Sequence, residues 1–312
     1  MKTLTAFLLL GLAVPARCMD EDSFRSSLHD IRDSAGPYAS GERPRSEDRG
    51  PWAAAIEGEV GLWLAALRDA RDPARQLESI GRIESSAGHL HTQDQYAVID
   101  ALKWTADSSF VQAHIRAKAL SALGKAGSRL SNEGARGRAA RYLLESASVQ
   151  NPSDSRMELR VYALSGLAML SRRLPHGDEA LERDICSKTL DILSEQSSAP
   201  EKTLAMRLLH EMLDGRPTAL SRDRSLRSRL ETELLAPLER DLDGLYYGGR
   251  LGGEYRYHLM KVLLLASPFI GEGISSRMRV AQLFERMGLL EPDPNLKTLV
   301  GLYARHLRSP LT

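Results

Sequence analysis

The chain has 312 residues, with 42 basic and 41 acidic side chains and a formal net charge of +1. That balance excludes the global basic excess of a chain that grips nucleic acid through its phosphates or anchors electrostatically on anionic lipid. The apolar fraction of 42% is enough for a sizeable core, and 50 leucines against 9 valines and 10 isoleucines favour helices over strands.

At the N-terminus, Lys2 precedes an apolar run from Leu4 to Val14, and Val14-Pro15-Ala16 offers small residues for cleavage. This is the pattern of a secretory signal peptide covering residues 1–16 and cut after Ala16. It predicts a secreted or periplasmic protein. The run is too short for a membrane span, which needs about 20 residues. Removing Lys2 leaves 41 basic and 41 acidic residues. Cys18 just beyond suggests a lipoprotein, but Arg17 stands where that pattern requires a small residue, so no lipid anchor is expected. The other cysteine, Cys186, falls in a helical stretch and reads as a small buried hydrophobe, with no structural disulfide expected.

Residues 17–50 are expected to be a disordered linker. Six of the nine residues from Gly41 to Arg49 are charged, and Gly36-Pro37, Pro44 and Gly50-Pro51 interrupt any periodicity. From Trp52 the pattern turns helical: Trp52, Ile56, Val60, Trp63 and Leu67 recur every three or four residues, up to a stop near Asp72-Pro73. Leu77, Ile80 and Ile83 mark a second helix, and Gly88 opens a loop carrying His89 and His91. Helices follow over 94–106, 133–148 and 178–196. Asp107-Ser108-Ser109 is a turn expected also to cap the next helix.

An internal repeat lies in this stretch. The segment Ile115 to Gly124 aligns with Leu159 to Ala168 at an offset of 44 residues. Arg116 and Arg160, Ala119 and Ala163, and Leu123 and Leu167 occupy matching positions, and Ala205 and Leu209 hold a weaker copy. Small residues such as Ala119, Ala122, Ala163 and Gly166 let helices approach closely while leucines fill the remaining volume. The run of aliphatic residue, Arg116, Ala119, Ala122, Leu123 and Gly124 resembles the second helix of a HEAT repeat, whose two-helix unit spans about 40–47 residues. That resemblance implies an all-α fold, a right-handed α-solenoid of HEAT-like helix pairs over residues 51–312. It is clearest over 94–214, with divergent helices over 219–308. It also implies structural roles for Arg116 and Arg160, and a concave surface that takes a protein or peptide partner.

One segment stands apart. Between Gly244 and His258 lie five glycines and four of the nine tyrosines. Tyrosine supplies rigid contact area with a hydroxyl, so Tyr246, Tyr247, Arg250, Tyr255 and Tyr257 are the candidate ligand-binding residues. His89 and His91 without a third ligand make a poor metal site, and Ser221 to Arg229 reads as a solvated helix face. No motif for a cofactor, a phosphate loop or a nucleophile elbow occurs, and Glu57 and Glu59 sit on different helix faces. The expectation is a non-catalytic protein-binding or scaffolding module of the extracytoplasmic space, with no cofactor, metal or nucleic acid. The alternative is an all-α cell-envelope enzyme acting on polysaccharide or peptidoglycan.

Overall fold

Aspartates mark where helices begin. Asp72 accepts a hydrogen bond from the Arg75 backbone N–H (3.0 Å), and Asp178 accepts one from Leu181 (3.2 Å). Asp223 accepts from Ser225 and Leu226, and Asp293 from Asn295 and Leu296. Each carboxylate satisfies backbone donors that the first helical turn leaves unpaired. Pro73 and Pro294 occupy first-turn positions, where a missing N–H costs nothing.

The computed structural model describes residues 51–309 apart from 149–153, 176, 196, 216–220, 248–251 and 271–273. The expected signal peptide, linker and Cys18 lie outside the described residues. The described residues are helical and contain no strand. The helices are α1 (Pro51–Arg68), α2 (Pro73–Ser86), α3 (Thr92–Asp107), α4 (Ala113–Arg129), α5 (Glu133–Ser148), α6 (Asp154–Ser171), α7 (Glu179–Ser194) and α8 (Ala199–Gly215). Then come α9 (Arg224–Leu230), a π turn (Glu231–Leu235), α10 (Ala236–Arg240), α11 (Leu242–Tyr247), α12 (Gly253–Ala266), α13 (Ile274–Leu290) and α14 (Pro294–Arg308).

Neighbour relations follow alternate helices. In one row α2 packs on α4, α4 on α6, α6 on α8, α8 on α12 and α12 on α14. In the other α1 packs on α3, α3 on α5, α5 on α7, and α7 on α9 and the π turn. Consecutive helices join the rows, as in α1 with α2, α3 with α4, α5 with α6, α7 with α8 and α13 with α14. The buried leucines, isoleucines and alanines form one continuous core between the rows.

Side-chain size sets the closest approach. A Cβ added to Gly124 of α4 would lie 2.3 Å from the Cα of Gly166 on α6, so these helices touch backbone to backbone. Ala119, Ala122, Ala126 and Ala163 around that crossing are fully buried. Leu123 and Leu167 fill the space beside them.

Polar bridges recur between units. Arg160 near the start of α6 is buried and pairs with Glu195 (3.1 Å), the C-cap of α7. Arg256 near the start of α12 pairs through two nitrogens with buried Glu291 (3.1 and 3.0 Å), just past the end of α13. Both pairs are separated by 35 residues in sequence. The first joins α6 of one row to the end of α7 of the other, and the second joins α12 to the end of α13. Arg116 instead donates to the Ala106 carbonyl (2.8 Å), tying α4 to the end of α3.

Two sequence expectations change locally. Ser108 ends α3, its N–H bonded to the Trp104 carbonyl, while α4 starts after Gln112 without a side-chain cap. The 107–109 turn therefore closes one helix and does not open the next. The helix face expected over Ser221 to Arg229 is broken at Asp223, and α9 beyond it runs on into the π turn. Pro237 has no N–H for the Glu233 carbonyl, and the wider turn begins just before it, with Ala236 donating to Glu231. Arg279 of α13 grips both sides of this turn, bonding Glu231 (2.6 Å) and Glu239 (3.1 and 2.9 Å).

Candidate binding surface

Helices of the α4–α6–α8–α12 row are buried on most sides. Among the described side chains of α6, Tyr162 and Met169 are exposed, at 41% and 36%. Lys118 and Lys125 on α4 are both held by Glu84 of α2. Arg172, just beyond α6, pairs with Glu211 and with Asp214 (3.2 Å) of α8.

Where α8 meets α12 the packing becomes polar. The Nδ1 atoms of His210 and His258 lie 2.9 Å apart, and both rings are only 7% exposed. A contact this short requires one ring to donate and the other to accept. Burial is the main cause that lowers both rings to about 4. The nearby Lys261, Arg172 and Arg207 push His210 the same way against Asp214, and His210 and Arg207 push His258 likewise. At neutral pH both imidazoles are therefore uncharged.

Tyr257 sets its ring edge against both histidines, with centroids 6.2 and 5.1 Å away. Lys261, one turn along α12, holds its ammonium over Tyr257 (5.9 Å to the centroid) and over Tyr303 of α14 (5.4 Å). Withdrawal from water lowers the Lys261 pKa, with Asp214 acting in the opposite direction. Neither Lys261 nor Arg207 forms an ion pair among the described residues, though Asp214, which Arg172 engages, acts on Lys261. The buried Tyr303 hydroxyl has no hydrogen-bond partner among the described residues. Helices α8, α12 and α14 thus bring Lys261 and the rings of Tyr257 and Tyr303 together beside the histidine pair, with Asp214 acting on Lys261.

The glycine–tyrosine segment is partly helical, entering α11 before residue 248 and α12 after 252. Its candidate residues do not converge. Tyr246 is half-buried with the Arg256 guanidinium over its ring at 5.4 Å, and burial together with the Glu291 charge raises its pKa. Tyr255 is packed in the core, where burial lifts its pKa to about 12. Tyr257 stands at the α8 junction. Arg250 and the side chain of Tyr247 lie outside the described residues.

Elsewhere, His89 closes a short 3-10 turn and His91 precedes α3, and no metal-ligating cluster of three or more residues occurs among the described residues. Cys186 is a free thiol, fully buried in α7, and burial pushes it up to about 12. No described helix is long and apolar enough to cross a membrane. The sequence offered little sign of the His210–His258 pair, whose members are 48 residues apart. Tyr257 and Lys261, one helical turn apart beside His258, were the only local signal.

No family model and no curated protein matches the chain. Among solved structures it is similar to the crystal structure of an engineered protein from the Northeast Structural Genomics Consortium. The TM-score is 0.51 at 15% identity, covering 80% of this chain and 96% of that one. This likeness concerns the fold alone.

Proposed function

We propose that the helix pairs form a right-handed α-solenoid of HEAT-like units, and that it serves as a non-catalytic protein-binding or scaffolding module of the extracytoplasmic space. One observation carries the reading: α2, α4, α6, α8, α12 and α14 each pack on the next in one continuous row, alternating up to α8. Rows of this kind expose a long surface suited to an extended partner. Two arginine–glutamate bridges, each spanning 35 residues, tie α6 to the end of α7 and α12 to the end of α13, in agreement with helix pairs of similar design. The export signal at residues 1–16 gives the compartment.

Glu291, the carboxylate that pairs with Arg256 of the tyrosine-rich segment, also accepts the Asp293 N–H. It is not a free acid or base, and this favours binding over glycan cleavage at that place. The test is a pull-down with the mature chain from its native extracellular or periplasmic fraction, run beside a cell-wall degradation assay. Specific retention of a protein is expected. Degradation of wall material with nothing retained would overturn the reading.

A further inference from the structure

We propose that the open face of α1 and α2 packs against the same face of a second copy of this chain, so that the protein associates as a two-fold dimer. This goes beyond the binding-module reading and does not depend on it.

The face is unlike the rest of the surface. In the rows, α4 lies between α2 and α6, and α5 between α3 and α7, but α1 and α2 have row neighbours on one side alone among the described residues. The side they leave to water is apolar. On α1, Gly58, Gly61, Leu62 and Ala65 stand at i, i+3, i+4 and i+7, one face of the helix, and all four are exposed, Leu62 at 69%. On α2, Leu77 and Gly81 are exposed as well. Glycine weakens a helix interior, and a Cβ added at Gly58, Gly61 or Gly81 would meet nothing within 4 Å. Within the chain such glycines serve close backbone approach, as Gly124 does against Gly166. The α1–α2 face has the same small residues and no helix upon it. Between the two helices runs a groove of about 550 Å³, lined by Leu62, Trp63, Ala65 and Ala66 together with the buried Ser79, whose hydroxyl has no hydrogen-bond partner among the described residues.

The rim of the groove says what covers it. Glu59 and Asp69 line it from α1, and Arg82 and Arg75 from α2. The short connection over 69–72 folds α2 back along α1, which sets Glu59 level with Arg82 and Asp69 level with Arg75. A two-fold axis along the groove therefore brings Glu59 of each copy to Arg82 of the other, and Asp69 to Arg75, while the leucines and glycines meet between them. In the single chain Arg75 pairs with Asp72 (3.3 Å) and Arg82 with Glu78 (3.7 Å). These are exposed neighbours within one helical turn, of the kind that contribute little and exchange readily. With 18 residues, α1 is about 27 Å long, and two helices side by side are about 20 Å wide, so the interface buries about 1,000 Å² in total. That is the low end for a specific interface and corresponds to reversible association with a Kd of about 10 µM.

Sedimentation velocity of the full chain from about 1 to 100 µM reads this equilibrium directly. The wild type should pass from monomer to dimer across the range. Leu62→Asp should stay monomeric with an unchanged melting temperature, because Leu62 is exposed in the single chain. Gly61→Gln should weaken the dimer about tenfold, yet melt at or above the wild-type temperature when dilute, since it strengthens the helix and meets no neighbour. Glu59→Arg and Arg82→Glu should each be monomeric alone and should associate with one another when mixed, because the mixture restores both cross-copy pairs. A wild type that remains monomeric at the highest concentration overturns the proposal, even if another protein is retained on this face. So does a dimer that survives Leu62→Asp, or a mixture of the two charge variants that fails to associate. Either result leaves the pull-down outcome unaffected.

Discussion

The crossing of α4 with α6 and the crossing of α8 with α12 are the same step of one row, built from opposite materials. At the first, Gly124 meets Gly166 amid buried alanines, and the contact is dry and backbone-close. At the second, two histidines, a tyrosine and a lysine occupy the space. Small residues give close contact and a single packing arrangement. Larger polar ones keep the helices joined but leave charges and hydroxyls whose needs the fold meets only in part. The first crossing is apolar and close, and the second is polar and less tightly filled.

The sharpest way to break this contrast is Gly124→Ala. Its Cβ would fall inside the Gly166 backbone, so the helices must separate; a loss of about 4 kcal/mol or failure to fold is expected in urea denaturation. Gly127→Ala on the same helix meets side chains at 3.3 Å that can yield, and a change within about 1 kcal/mol is expected. Equal effects of the two would remove the claim that backbone contact matters at the crossing.

Next in size is Arg256→Met, which strands the buried Glu291 carboxylate and should cost about 3 kcal/mol. Adding Glu291→Gln in the same chain should recover part of that loss.

Acid should affect the α8–α12 crossing through its histidines. Each ring takes a proton near 6.5 in the unfolded chain and near 4 in the fold. Between those values the unfolded state binds more protons, so stability is full above pH 6.5 and drains as pH falls toward 4, by up to about 3 kcal/mol for each ring. Melting temperature against pH checks this, and the double change of His210 and His258 to Gln should flatten that limb. Smallest is Phe110→Ser: this side chain is 85% exposed, and a stability change within about 0.5 kcal/mol is expected in the same melts.

Helix positions were legible because leucine and alanine periodicity reports a buried face wherever it occurs. The stretches expected over 133–148 and 178–196 became α5 and α7, and Tyr255 to Ala266 lies within α12. The 44-residue copy was legible because the crossing of α4 and α6 accepts only small residues, which stand out in sequence. The π turn was hidden, since Pro237 alone does not say whether a helix kinks, ends or widens. The polar junction was hidden too. His210 and His258 are unremarkable singly, and Arg256 became a structural bridge because Glu291 lies within reach, which no local pattern reports.

The sequence by itself determined the all-helical class, the approximate helix limits and the small-residue faces, because these depend on propensity and on periodicity over a few turns of one chain segment. Only the tertiary structure decided which polar groups meet. His210 faces His258, Arg160 faces Glu195, and Lys261 rests on Tyr257 and Tyr303. The physical reason is that burial and pairing belong to positions in space: a side chain's charge state and unmet bonds follow from neighbours brought together by packing across dozens of residues.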